Sequence, residues 1–73
     1  MNPCVYILLL ENGNYYIGST RDLNRRFKEH QRKDHAGTRY SMPLRILFSQ
    51  ECDTYSVARK IELKLKKLKV GKF

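Results

Sequence analysis

Tryptophan is missing from the 73 residues, and cysteine, proline and glycine are sparse at two, two and four. Cys4 and Cys52 are too few for a disulfide framework or a cysteine-based zinc site, so they read as reduced packing thiols. No apolar stretch approaches the ~20 residues of a membrane span; the longest run is Cys4–Leu10. Met1-Asn2-Pro3 has no basic region and no small-residue cleavage site, so no secretory leader is expected. A cytoplasmic location with reduced thiols and no membrane partner is the expectation. No Walker motif and no dinucleotide fingerprint occurs. No His and Cys spacing fits zinc, and Ser19 has no evident His and Asp partners for a triad. Acidic residues are scarce too: seven Asp and Glu face fifteen Lys and Arg, for a net charge of +8.

That charge is unevenly placed. Residues 21–33 carry +4, residues 54–73 carry +6, and the remainder sums to −2. Two basic blocks on so small a chain point to a polyanionic partner bound through phosphate contacts and counterion release. Nucleic acid stands ahead of an anionic membrane or an acidic protein. Apolar residues make up 41% of the chain, enough for one core, and a single domain over residues 1–73 is expected.

Residues 4–10, CVYILLL, are apolar at both parities and read as a strand covered on both faces, hence central in its sheet. Glu11-Asn12-Gly13-Asn14 reads as a turn, and residues 14–18, NYYIG, as the returning strand of a hairpin. Two registers are open. A two-residue Asn12-Gly13 turn puts Tyr6 and Tyr16 on opposite faces. A three-residue loop with Gly13 left-handed pairs Tyr6 with Gly18 and Leu8 with Tyr16, so that both phenols share a face.

Ser19-Thr20 then leads to a helix capped by Asp22, with Leu23 and Phe27 as its buried stripe, Arg26 and His30 on a neighbouring one, and an end near Lys33. Residues 34–43 read as a polar loop. Residues 44–51 read as a third strand on the alternation of Leu44, Ile46 and Phe48. Thr54 or Ser56 caps a last helix running to about Lys69, with Val57, Ala58, Ile61, Leu65 and Leu68 as its apolar stripe. The order is ββαβα. It implies an α+β architecture: a small, three-stranded, mainly antiparallel sheet packed by two or three helices.

Glu62 is the most informative polar residue. It is the only carboxylate after Asp53 and lies beside an apolar stripe among cations. It reads either as an intrahelical ion pair with Lys66 or Arg59, or as a single oxygen ligand for Mg²⁺ or Mn²⁺. Arg26 suits a phosphate clamp and His30 a proton relay, although both also fit a plain amphipathic helix. Arg25, Arg32 and Lys33 read as phosphate contacts or solvated charge. Tyr6, Tyr15 and Tyr16 read as packing aromatics, unless cations or a metal-bound water lie beside them. His35 stands in a segment with Gly37, Thr38, Arg39 and Tyr40 that either approaches a phosphate or merely connects.

Taken together, CVYILLLENGNYYIGSTRDLNRRFKEH resembles the GIY-YIG nuclease superfamily. Cys4-Val5-Tyr6 stands at the first half-motif, with Cys for its leading Gly; Tyr16-Ile17-Gly18 is the intact second, about ten residues on. STRDLNRRFKEH looks like the family's helix with its catalytic Arg and following His, matched by Arg26 (Arg25 is one step away) and His30. VARKIELKLKKL resembles its last helix, with Glu62 at the metal ligand. The likeness is closest to small stand-alone bacterial members grouped with the nuclease module of the excision-repair endonuclease.

The resemblance implies a one-metal DNA endonuclease using Mg²⁺ or Mn²⁺ on Glu62. Tyr6 would deprotonate or orient the water, Tyr16 would support it, Arg26 would stabilise developing charge, and His30 would relay the proton or fix Tyr6. It also favours the register that puts both phenols on one face. Arg25, Lys33, His35, Arg39 and Lys66 are the candidate DNA contacts. No amide side chain follows Glu62, unlike many relatives. Target affinity must come from the basic helices or from a larger repair or recombination partner. A non-catalytic nucleic-acid-binding module on the same fold is the alternative.

Overall fold

The structure, a computed structural model, describes residues 2–32 and 41–68. Five elements follow in order: β1 (Cys4–Leu10), β2 (Tyr15–Thr20), α1 (Leu23–Gln31), β3 (Pro43–Glu51) and α2 (Tyr55–Lys67). The three strands form one antiparallel sheet in the order β2-β1-β3. The strand that is apolar at both parities is thus the central one, and the α+β, ββαβα architecture is observed among the described residues.

The hairpin takes the three-residue loop. Gly13 has φ of +88°, a conformation that side chains rarely adopt, and its N–H reaches back to Leu10 O at 3.0 Å. Asn12 Oδ1 accepts from Asn14 N at 3.0 Å, an Asx turn that tightens the bend. Tyr6 accordingly pairs with Gly18 and Leu8 with Tyr16. β2 runs two residues beyond the expected stretch: Ser19 and Thr20 are buried strand residues rather than a lead-in to the helix.

Strand alternation assigns a helix to each face. Cys4, Tyr6, Leu8 and Leu10 form the core with Tyr16, Leu23, Phe27 and Ile46 against them, so α1 covers this face. Val5, Ile7, Ile17 and Ser19 point the other way, toward α2. Both helices begin on a side-chain cap. Asp22 accepts from Arg25 N at 3.1 Å, and Thr54, rather than Ser56, accepts from Val57 N at 3.2 Å.

Two expectations need correction. The alternation along 44–51 is broken by register shifts between Ile7 and Leu8 and between Leu9 and Leu10, which leave Leu47 and Leu44 as extra residues on β3. Ile46 therefore stays with the α1 core, whereas Phe48, opposite Ile7, turns to the α2 side. On α2 the buried residues are Ala58 and Glu62, and Val57 and Leu68 are exposed. The helix turns its smallest apolar side chain toward the sheet. Val57, Ile61 and Leu65 instead line an open groove of about 480 Å³ with Phe48.

Candidate active site

Tyr6 is fully buried at 1% exposure, and its hydroxyl lies 3.0 Å from His30 Nε2. His30 is the one buried residue of α1, at 0%, deeper than a helix stripe beside Leu23 and Phe27 suggests. The Tyr6, Tyr16 and His30 rings form a triangle with centroids 6.3, 5.9 and 5.0 Å apart. Gly18 makes room for it: a Cβ there would sit 2.6 Å from Tyr6 Oη and 3.0 Å from a Tyr16 ring carbon. The Gly of the second half-motif is therefore required by close approach, since its φ is not in the left-handed region.

Arg26 joins this group. It lies close enough to Tyr6 and Tyr16 for its charge to favour the ionised form of both phenols. Arg25, one step away, is 62% exposed and only brackets Glu29 at 3.8 Å. Arg26 Nε lies 3.0 Å from Glu29 Oε1. That pair lacks hydrogen-bond alignment, so Nε is buried with no hydrogen bond among the described residues. Burial, then the neighbouring Tyr16, pushes the Tyr6 phenol well above its ordinary range, against the opposing pull of Arg26. Burial and the Glu62 charge raise Tyr16 as well. Both phenols are thus neutral proton carriers near pH 7.

Glu62 arrives from the other face. It is 4% exposed, and its Oε1 accepts from Ser19 Oγ at 2.5 Å and from Arg59 Nη1 at 2.9 Å. Its Oε2 meets Lys66 Nζ at 2.8 Å. Both ion pairs read from the spacing are present at once. Burial alone would raise this carboxyl, but the hydrogen bonds of Lys66, Ser19 and Arg59 together outweigh it and hold it below the usual carboxylate value. Four candidates therefore gather on the α1 face. The fifth, Glu62, lies on the α2 side, bonded to Ser19, the residue next to Gly18, and its charge raises both phenols.

Ser19 is the polar residue that sequence reasoning passed over. Its signal was available, since the loop that pairs Tyr6 with Gly18 also pairs Ser19 with Val5 and turns it toward the last helix. Lys33, His35 and Arg39 lie outside the described residues. Lys66 is half-exposed beside Tyr15, Tyr16 and Ile17.

With this geometry in hand, comparison with known proteins is decisive. The family described as the GIY-YIG catalytic domain matches residues 2–71. The chain belongs to the GIY-YIG family. Among its relatives, a UPF0213 protein of Xanthomonas campestris pv. campestris is 43% identical over 63 residues, covering 85% of this chain and 62% of that protein. One of Autographa californica nuclear polyhedrosis virus is 41% identical over 66 residues, with 88% and 64% covered. One of Halobacterium salinarum is 35% identical over 65 residues, with 88% and 84% covered. The chain thus spans about 62% of the length of the first of these relatives. No solved structure matches at comparable significance. The GIY-YIG domain is a nuclease-type catalytic domain, and the UPF0213 members are a small stand-alone branch of it. No helix among the described residues is long and apolar enough to cross a membrane.

Among the described residues no cluster of three His, Cys, Asp or Glu side chains forms a metal cage. Glu62 nonetheless suits a hard divalent ion: it is ionised, oriented from one oxygen by a buried hydroxyl, and compensated by cations whose side chains are 48% and 50% exposed. Such an ion keeps most of its waters and asks for a single carboxylate.

Proposed function

We propose that the chain is a divalent-metal-dependent endonuclease that hydrolyses DNA phosphodiester bonds. The observation that carries this reading is the buried Tyr6–His30 pair beside Arg26, whose Nε has no hydrogen bond of its own. Paired with Glu29 but out of hydrogen-bond alignment, this buried donor is incompletely satisfied, and a phosphate oxygen would complete it. The net charge of +8 supplies the attraction for the backbone.

Each residue then has a role that its surroundings allow. Tyr16 is the more accessible of the two phenols and orients the attacking water. The Tyr6 hydroxyl, neutral near pH 7, takes the water's proton while passing its own to His30 Nε2. The water oxygen bonds to phosphorus, the bond to the leaving sugar oxygen breaks, and that oxygen is protonated from solvent. Arg26 offsets the charge that builds on the phosphoryl oxygens. A cation on Glu62, with Mg²⁺ or Mn²⁺ the fitting ions, would add Lewis-acid charge at the same group. Arg25, Lys33, His35, Arg39 and Lys66 are the proposed backbone contacts.

The test is nicking of supercoiled plasmid in Mg²⁺ or Mn²⁺. The wild type should cut, and Tyr6→Phe and Glu62→Ala should each abolish cutting. An inactive wild type, or two variants as active as it, refutes the reading. One observation favours a second reading, a nucleic-acid-binding module without catalysis: both Glu62 oxygens already carry cations. That module would bind DNA in a salt-sensitive way, would not cut it, and would still bind after Glu62→Ala.

A further inference from the structure

The two oxygens of Glu62 are not held alike. Oε1 is fixed by the Ser19 hydroxyl and the Arg59 guanidinium, and Ser19 is itself buried in β2 at 6% exposure. Oε2 meets an ammonium on a flexible stem, Lys66, whose side chain is 48% exposed. Lys66 also borders a hollow of about 240 Å³ with Tyr15, Tyr16 and Ile17. Its side chain therefore reaches both the carboxylate and the edge of that hollow. Removing it would leave the carboxylate aimed, because Ser19 and Arg59 act on the other oxygen. Removing Ser19 would not.

A hydrated divalent cation and an ammonium ask for the same thing, an ionised oxygen, and at ~4 Å from each other they repel. We propose, resting on the nuclease reading, that Lys66 is a tethered counter-ion for Glu62 which a divalent cation must displace from Oε2. In the metal-free protein the ammonium keeps a nearly buried carboxylate ionised and neutralised, where an unpaired one would be costly. When the cation arrives, Lys66 swings out toward the hollow, where its charge is free for a phosphate oxygen. The exchange is possible because the incoming charge replaces the ammonium's beside the carboxylate, while the half-exposed Lys66 head returns to solvent. Glu62 thus fills both roles open to it in the sequence, ion-pair partner and metal ligand, in succession.

The experiment is Mn²⁺ binding to the whole chain without nucleic acid, followed by the electron paramagnetic resonance signal of free Mn²⁺. Lys66→Met should bind Mn²⁺ about three- to tenfold more tightly than wild type. Lys64→Met removes the same charge from the exposed cluster around Leu63 and should change affinity by less than about twofold. Glu62→Gln should lose the site. Equal affinities for Lys66→Met and wild type, with the site still lost in Glu62→Gln, overturn the displacement and leave the metal reading intact. If neither wild type nor Lys66→Met shows binding that depends on Glu62, the metal reading fails and the displacement falls with it.

Amine labelling of the unaltered chain gives a second readout that needs no variant to fold. Saturating Mg²⁺ should at least double the labelling rate of Lys66 and leave Lys64 unchanged, with no response in Glu62→Gln. A Lys66 rate indifferent to Mg²⁺ in a protein that binds the ion through Glu62 overturns the proposal.

Discussion

Along β2 the last four residues, Ile17–Thr20, are buried, whereas along β3 only Pro43 is. Both are edge strands of the same sheet. β2 is six residues long, is covered by α2, and continues through the Thr20–Asp22 turn, where Asp22 N bonds Thr20 Oγ1 at 3.1 Å, into the cap of α1. β3 is nine residues long, carries two extra residues, and leaves Leu44 59% exposed. Bulges protect a long edge by twisting it out of pairing geometry, and they do so by giving up packing. The covered edge can hold side chains still, which is what positioned chemistry requires. The candidate site lies there, on either side of Gly18 and Ser19.

The sharpest way to break this contrast is Gly18→Ala. The new Cβ would meet the Tyr6 phenol at 2.6 Å, so the phenol must leave His30 or the strand must shift. A loss of about 2–3 kcal/mol in urea unfolding is expected, with loss of cleavage. Next is Tyr6→Phe, which removes only the hydroxyl that pairs with His30. Stability should fall by about 1 kcal/mol, while the cleavage rate falls by about 10²- to 10⁴-fold in single-turnover assays. A drop in rate no larger than the drop in stability would make Tyr6 a packing residue.

Glu62→Gln sharpens the comparison through pH. The folded carboxyl titrates below its ordinary value of about 4.5, so its stabilising effect is complete above that value and is lost as pH falls through the lower folded value. Wild type should therefore lose stability more steeply than Glu62→Gln as pH falls below that ordinary value, as read by thermal unfolding across the acid range. Parallel profiles would show that the ion pairs around Glu62 contribute nothing. The smallest effect belongs to the other edge. Leu44→Lys at the β3 bulge should alter stability by no more than about 0.5 kcal/mol and leave cleavage unchanged.

Local rules made much of the fold legible. Seven consecutive apolar residues bounded by a turn read as a strand covered on both faces, and β1 is one. Asp22 and Thr54 are cap residues in front of amphipathic stretches. The hairpin needed more than local rules, because both turns suit Asn12-Gly13; the likeness to the GIY-YIG pattern favoured the register that the structure adopts. Four of the five site candidates share a face for the same reason. The misses have a common origin. Ser19 and Thr20 look like a polar connector until a helix packs over them. The alternation of Leu44, Ile46 and Phe48 looks regular until bulges shift its phase. The apolar stripe of α2 looks like its buried face, yet only Ala58 of that stripe is buried, and Glu62 turns inward with it.

By itself, then, the sequence determined the order of elements, the central strand, the caps, the basic blocks and the family, because each depends on residue types at short spacing or on composition. Tertiary structure decided the depth of His30, the partial burial of Arg26 against the exposure of Arg25, the partnership of Ser19 with Glu62, and the face of the sheet on which that carboxylate lies. These depend on how two helices settle on opposite faces of a twisted sheet. That is fixed by the summed packing of side chains distant in sequence, and no local pattern records it.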